Sequence, residues 1–445
     1  MGLTLSESLR LSSSPCVAFV GAGGKTTVMF HLAREFSSPV IVTAATHLGT
    51  WQTSLADQHI IATSMDDIVD ARFKGVSLIT GSIGDDNRTK GLDADFLFWL
   101  RAEAEKQHLP FLIEADGARQ HALKAPVTHE PPIPDFTNSV VVVAGMSVLG
   151  KLLSEDTIYH PEIFSKLSGL QINHPINTES IIQLLCHPQG GLKNIPPTSR
   201  RTALLNQCDT PELQSAAHGM IPLLLIYYDS VIVASMKLNY VFAAHEPVAG
   251  IILAAGGSKR YGQPKQLLEW RGQPFVRVAA GTALEAGLSP VVVVTGANAE
   301  QVEGVVKDLP ITIKRNDNWQ TGQSSSIRAG LQAITDGVCK QAGAVIFILA
   351  DQPQITASVI RALMETHATG LQPIIAPLIL MEQRGNPVLF DRITFSDLME
   401  LQGDTGGRSI FSRYRVEYLP WHDDRLLLDV DKPEDYDRLI SDNTL

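Results

Sequence analysis

The sequence predicts an α/β fold in two halves, each a parallel sheet sandwiched between helices in three layers. Three observations carry this. Val- and Ile-rich runs of strand length recur between amphipathic stretches: CVAFV, PVIVTAA, PFLIEA, SVVVVAG and TALLNQ early, then AGIILAA, PVVVVTG, AVIFILA and LLLDVD. Continuous apolar strands alternating with helices signal parallel sheets covered on both faces. Each half also opens on the same plan of buried strand, Gly-rich loop and helix. Finally, 445 residues exceed what one ordinary core accommodates. The break is expected within MKLNYVFAAHEPVA, dividing the chain into residues 1–245 and 246–445.

Composition narrows the function. A hydrophobic fraction of 44% with 19% charged residues describes a globular chain rather than a disordered one. A net charge of -11 argues against a nucleic-acid partner, which would call for a basic surplus. The longest apolar runs, VVVVAG and PLLLIYY, fall far short of a membrane span, so no membrane partner is expected. The four cysteines lie far apart without a C-x-x-C pair, and MGLTLSESLRLSSSP lacks a basic region followed by an apolar one. Both features predict a cytoplasmic protein with reduced thiols.

The first Gly-rich loop is Gly21-Ala22-Gly23-Gly24-Lys25-Thr26-Thr27. It follows the strand CVAFV and opens the helix KTTVMFHLAREF, so its amides and the helix N-terminus face an anion. Lys25 would reach the β- and γ-phosphates of a nucleotide, ATP or GTP, and Thr26 would ligate Mg²⁺. Glu114 and Asp116, at the end of PFLIEAD, stand where a carboxylate of a second Mg²⁺ site belongs. His47, His121, His129 and His160 are scattered without a metal-ligand pattern and read as loop or surface residues.

The second loop, LAAGGSKRYGQPK, runs from Leu253 to Lys265. Gly256, Gly257 and Gly262 let backbone amides approach phosphate oxygens, and Arg260 and Lys265 add fixed charge for a triphosphate. Asp351 closes the buried run AVIFILA, with Pro353 turning the chain away. Asp429 and Asp431, two apart in a presumed strand LLLDVD, would share one face. Carboxylates at the carboxyl ends of sheet strands suit Mg²⁺, which takes one or two of them together with phosphate oxygens. Asp431 also reads as the cap of the helix begun by Pro433.

These residues resemble the molybdenum cofactor cytidylyltransferases (MocA), within the MobA-like nucleotidyltransferases. The motif L-A-A-G-x-S-x-R-x-G-x-x-K matches Leu253–Lys265, including Ser258. It is followed in order by TGQSSSIRAGL, ADQP, RGNPVLF, GDTGGR and DVDKPEDY. The resemblance implies a Rossmann-like, GT-A-like domain that transfers CMP from CTP to a molybdopterin-type cofactor. It implies Arg260 and Lys265 on the β/γ-phosphates and Asp351 and Asp431 on Mg²⁺. Leu253, Ala254, Ala255, Gly256, Gly257 and Ser258 would cradle the nucleotide. Ser325, Arg328, Asn386 and Arg408 would hold base, ribose or pterin. Leu253-Ala254-Ala255-Gly256 is similar to the cytidylyl-transferring members, whereas guanylyl-transferring ones carry LAGG. Tyr261 stands where Met is common and Lys432 where Thr is common.

The first half resembles the YqeC family, accessory proteins of selenium-dependent molybdenum hydroxylases, in VTAATHLG, EADGARQHALKAP, HEPPIP and HPQGGLKNIPPTSRRTALLNQCD. Its G-x-x-G-K-[ST]-[ST] spacing resembles the compact phosphate loop of Mur-type ligases, and the fold implied is P-loop-like. Asn206-Gln207-Cys208-Asp209 resembles the N-K-x-D of GTPases, with Gln207 in place of Lys. Together the resemblances imply a fusion serving one cofactor, with a molybdenum hydroxylase apoenzyme as partner.

Overall fold

The computed structural model describes residues 2–69, 71–258, 261–336 and 342–441. The chain divides into two compact units, Met1–His245 and Glu246–Leu445.

In the first unit one nine-stranded sheet runs in the order Tyr240–His245, Ser230–Ser235, Arg200–Asn206, Ser139–Gly145, Cys16–Gly21, Phe111–Glu114, Val40–Ala44, Val76–Thr80, Gln58–Ile61. All neighbours are parallel except the first pair. The strand feeding the first Gly-rich loop therefore lies mid-sheet, flanked by the strand carrying Glu114. Ala18 and Val20 point with Val140, Val142 and Leu205 into a core closed by Phe164, Ile181, Leu184 and Met220. Those last four lie on the helices Pro161–Ser168, Thr178–Cys186 and Pro211–Leu224. The apolar run Pro222–Tyr228, of strand length, does not form a strand: its first residues end the helix Pro211–Leu224.

The second unit is built on an eight-stranded sheet whose central path is Thr312–Arg315, Val291–Thr295, Val248–Leu253, Ala344–Leu349, Val388–Asp391, Ile374–Ile379. The first four strands are parallel. Val388–Asp391 then runs antiparallel to both its neighbours, so this sheet is mixed rather than wholly parallel. Side chains alternate between two cores. Ile252, Val293, Ile346 and Ile348 pack on one face with helix residues such as Val276, Val302 and Leu363. Ile251, Val292, Val294 and Val345 pack on the other with Ile327, Leu331 and Leu398. A Cβ at Gly330 would lie 2.6 Å from the Ile251 side chain, so Gly at this position lets the helix Gln323–Thr335 settle close on the strand.

One predicted strand is absent. The first two residues of LLLDVD, Leu426 and Leu427, end a short 3-10 turn, Asp424–Leu427, and the rest of the run joins no strand. Gln354 Nε2 donates to the carbonyls of Arg425 (3.1 Å) and Leu428 (2.6 Å), so a side chain rather than a neighbouring strand satisfies this backbone. The segment leads into the helix Pro433–Ser441. Val430 and Leu439 pack there with Leu268 and Phe275 in a small separate cluster, and Tyr436 Oη donates to Glu269 O at 2.7 Å.

Candidate functional site

Each unit gathers charge at its Gly-rich loop, by different means. In the first, Gly21, Gly23 and Gly24 all have positive φ (88°, 91° and 105°). A Cβ at Gly23 would lie 2.3 Å from Gly145 N, so the loop is pressed against backbone and only glycine fits. The helix Lys25–Glu35 starts directly from Gly24 without a side-chain cap, which leaves its first amides facing the loop. Lys25, only 4% exposed, donates to Gly21 O (2.7 Å) and pairs with Asp116 (3.1 Å). Thr26 Oγ1 donates to Glu114 Oε2 at 2.6 Å, and Gln52 Nε2 donates to Thr26 Oγ1 at 3.0 Å. Burial pushes the Glu114 carboxyl above its ordinary value, against the opposing pull of Lys25 and the Thr26 hydrogen bond. Thr27 is exposed. The structure thus brings Thr26, Glu114 and Asp116 together at the loop, an all-oxygen donor set that fits a hard divalent cation.

Two contributors were not singled out from sequence. Lys124 is buried and joins Asp116 (3.2 Å) to Glu130 (2.8 Å). Asn206 Nδ2 donates to Gly23 O at 2.7 Å. Both lie within segments that carry the YqeC resemblance, Lys124 in EADGARQHALKAP and Asn206 in the run that ends NQCD, but neither was expected to contact the loop.

In the second unit the loop leaves the strand Val248–Leu253 through buried Ala254 and Ala255. Gln266, 5% exposed, donates to the carbonyls of Ala254 (3.0 Å) and Gly256 (2.6 Å), and Lys265 N donates to Ser258 Oγ at 3.0 Å. These bonds hold the loop open at Gly256, where an added Cβ would meet nothing within 4 Å. Gly257 lies against the ring of Trp319. Arg260 lies outside the described residues.

Lys265 is the centre of this site. Its Nζ lies 2.8 Å from Asp351 Oδ2 and 2.8 Å from Asp431 Oδ1. Burial alone would lower this ammonium, but the charges of Asp351 and Asp431 and their hydrogen bonds outweigh it and raise it. Two carboxylates converging on one positive group also fit a hard divalent cation. Asp429, which sequence placed on the same face as Asp431, instead accepts a hydrogen bond from Gln352 Nε2. Crowding by protein on its inner side, and then the Asp351 charge, raise its carboxyl.

The remaining candidates act as braces. Ser325 Oγ donates to Gly322 O (2.8 Å) and accepts from Asn316 Nδ2 (2.8 Å). Arg328 donates to Leu401 O. Arg408 reaches Gly385 O (3.0 Å) and Asn386 Oδ1 (3.1 Å). Ser324 Oγ donates to Gly403 O at 2.7 Å. The segments TGQSSSIRAGL, RGNPVLF and GDTGGR are therefore tied together, although far apart in sequence.

A mid-sheet Gly-rich loop ending in a lysine held by two aspartates is the arrangement of a nucleotide-handling transferase, and comparison with known proteins agrees. The MobA-like NTP transferase domain matches residues 250–418, and the YqeC protein family matches residues 17–162. The chain belongs to the MobA-like NTP transferases through its second half and carries a YqeC domain in its first. It is 32% identical over 204 residues to the nicotine blue oxidoreductase of Paenarthrobacter nicotinovorans, covering 43% of this chain and 96% of that one. It is 29% identical over 216 residues to the uncharacterized protein YqeC of Escherichia coli (45% and 79% covered). It is 26% identical over 190 residues to the molybdenum cofactor cytidylyltransferase of the same organism (42% and 92% covered). Among the described residues no helix is long and apolar enough to cross a membrane.

Proposed function

We propose that the second unit is a molybdenum cofactor cytidylyltransferase, and that the first is a nucleotide-binding accessory domain for molybdenum hydroxylase maturation. The observation that carries this reading is Lys265 held 2.8 Å from both Asp351 and Asp431 at the mouth of the Gly-rich loop. The similarity to a cytidylyltransferase and the Leu253-Ala254-Ala255-Gly256 sequence favour CTP.

In this reaction a terminal phosphate oxygen of the pterin cofactor attacks the α-phosphorus of CTP. The bond to the β-phosphate oxygen breaks, and pyrophosphate leaves. The nucleophile is already anionic, so no general base is required, and the protein's task is to align two anions and neutralise the leaving group. Backbone amides from Ala255 to Ser258 receive the triphosphate. Lys265, on a flexible four-carbon stem, turns its ammonium to the β- and γ-phosphates, with Arg260 as a second cation. Asp351 and Asp431 would hold Mg²⁺, which when bound polarises the reacting phosphoryl oxygens. Asn386 and Arg408, joined to each other, present a polar edge for the pterin.

The test is release of pyrophosphate from CTP, Mg²⁺ and molybdenum cofactor, with the nucleotide-linked product identified by mass spectrometry. Failure with every nucleoside triphosphate would refute the reading. Transfer to a different phosphorylated acceptor, such as a sugar phosphate, would keep the nucleotidyltransferase and replace its substrate. Oxidation or reduction of a substrate without pyrophosphate release would instead favour an oxidoreductase, as the Paenarthrobacter relative is named. A second role, a nucleotide-gated carrier that delivers the cofactor to a hydroxylase, is favoured by the Lys25 loop. It fails if nucleotide bound there leaves delivery unchanged.

A further inference from the structure

We propose that the first unit carries a second ligand site beside its phosphate loop, a cleft of about 360 Å³ that takes a phosphate monoester through Arg119 and Lys151. This rests on the reading of the first unit as a nucleotide-binding accessory domain. It goes beyond that reading by giving the cofactor, itself a phosphate monoester, a place beside the nucleotide.

The cleft is built against the loop. Gly23 N donates to His121 O at 3.1 Å, and a Cβ at Gly23 would lie 2.7 Å from Ala122 O and 2.3 Å from Gly145 N. A Cβ at Gly145 would in turn lie 2.4 Å from Gln207 Oε1. His121, Ala122 and Gln207 all line the cleft, so cleft and loop share a wall. Two further features set its place in the sheet. Ser147 and Gln207, which line it, follow the strands Ser139–Gly145 and Arg200–Asn206. Glu114, which holds Thr26, ends the strand on the opposite side of Cys16–Gly21. The cleft therefore opens at the carboxyl ends of parallel strands, where such sheets bind ligands, and away from the Thr26–Glu114 pair.

Its walls are fixed while its charges are free. Arg119 and Gln120 are consecutive non-glycine residues with positive φ (45° and 65°), a strained turn that glycine would adopt readily. The ring nitrogens of His121 lie 3.1 Å from Ala118 O and 2.8 Å from Glu155 O, which ties this turn to the opposite wall. The same ring stacks on Tyr159 at 5.5 Å, and the Arg119 guanidinium lies 5.6 Å from the Tyr159 ring centre. Lys151 is held by its backbone: its N donates to Val148 O (2.9 Å) and its O accepts from Ile176 N (2.8 Å). Ser147 Oγ donates to Gln207 Oε1 at 2.6 Å. Among the described residues, the side chains of Arg119, Lys151 and Asp156 make no hydrogen bond or ion pair, although all three line the cleft. Two cations against one carboxylate leave a positive surplus. An uncharged nucleoside gives these cations nothing to meet, and a triphosphate is already served by the loop amides and Lys25. They are placed for a second anion. The guanidinium offers a planar fork to two phosphate oxygens, and the ammonium a point charge to a third. Asp156 offers acceptors only, which suits the N–H donors of a pterin.

The experiment titrates the full chain, with Mg²⁺, against molybdopterin and, separately, against inorganic phosphate. Binding that weakens when Arg119→Ala and Lys151→Ala are combined is assigned to the cleft, which separates it from the second unit's own acceptor site. The expected result is molybdopterin binding ~100-fold weaker at that site once both cations are gone. Combining Arg119→Lys with Lys151→Arg keeps both charges and should stay within ~10-fold of the unmodified chain. Both side chains are exposed, so each variant should unfold in urea at the unmodified midpoint. Molybdopterin binding unchanged without the two cations, or inorganic phosphate bound as tightly as molybdopterin, would overturn the proposal and leave the Lys25 loop intact. So would displacement of molybdopterin from the cleft by a nucleotide whose own binding disappears in Lys25→Ala, because the cleft would then belong to the nucleotide. That competition is read on the unmodified chain and needs no cleft variant to fold. No Lys25-dependent binding of any nucleotide would instead overturn the reading of the loop, and with it the pairing of two ligands in this unit.

Discussion

The two Gly-rich loops start from the same strand–loop–helix plan and end in different machines. In the first, the lysine is buried and folds back onto its own loop, with Asp116 as its only carboxylate neighbour within ion-pair distance among the described residues. In the second, the lysine is more open and joins carboxylates from segments 86 and 166 residues further along the chain. The first loop is a closed socket, pressed against backbone with its lysine buried on the loop's own carbonyl. The second is a more open junction in which one lysine meets two carboxylates. A socket suits tight, selective holding of a ligand, whereas a junction suits the meeting of several reacting groups.

Substitutions can sharpen this contrast. The largest effect is expected at the junction: Asp351→Ala should lower the rate of pyrophosphate release by ~1000-fold, the scale of losing a charged group that acts on the reacting phosphates. An unchanged rate would remove Asp351 from the site. Gly23→Ala comes next. With φ 91° and backbone 2.3 Å from the added Cβ, it should cost ~2–4 kcal/mol of stability in urea unfolding of the first unit. The matching change at the open loop, Gly256→Ala, meets nothing within 4 Å and should cost less than ~1 kcal/mol. Similar losses at the two glycines would break the distinction between packed and open loops. The smallest effect concerns Cys16 and Cys208, whose thiols burial pushes up to about 12. Neither should react with a thiol reagent at neutral pH until the first unit unfolds, and labelling of the folded protein at either position would contradict the packing.

Sequence made the loops legible because glycine spacing, lysine and the helix that follows are local signals. It located Asp351 for the same reason, at the end of a buried apolar run. It did not show that LLLDVD lacks a strand, since an apolar run reads alike whether a neighbouring strand or a side chain such as Gln354 satisfies its backbone. The signal was nearby: Asp423 accepts from Arg425 N at 3.1 Å, a local turn that the sequence HDDR could have suggested. The antiparallel strand Val388–Asp391 was equally hidden, because burial on both faces erases the alternation that would betray its direction. Lys124 and Gln266 escaped because their roles depend on partners that only the fold brings near.

The placement of Asp431 separates the integrity of the fold from the integrity of the site. This carboxylate is supplied by a short segment anchored through Val430, Leu439 and Tyr436 in the small cluster, apart from the two main cores of its unit. A protease cut between Leu428 and Asp431, beyond the core residue Leu426, would leave both faces of the sheet covered while releasing one of the two groups that hold Lys265. The product would be a folded protein that has lost its chemistry, recognisable by an unfolding transition that persists when pyrophosphate release has ceased.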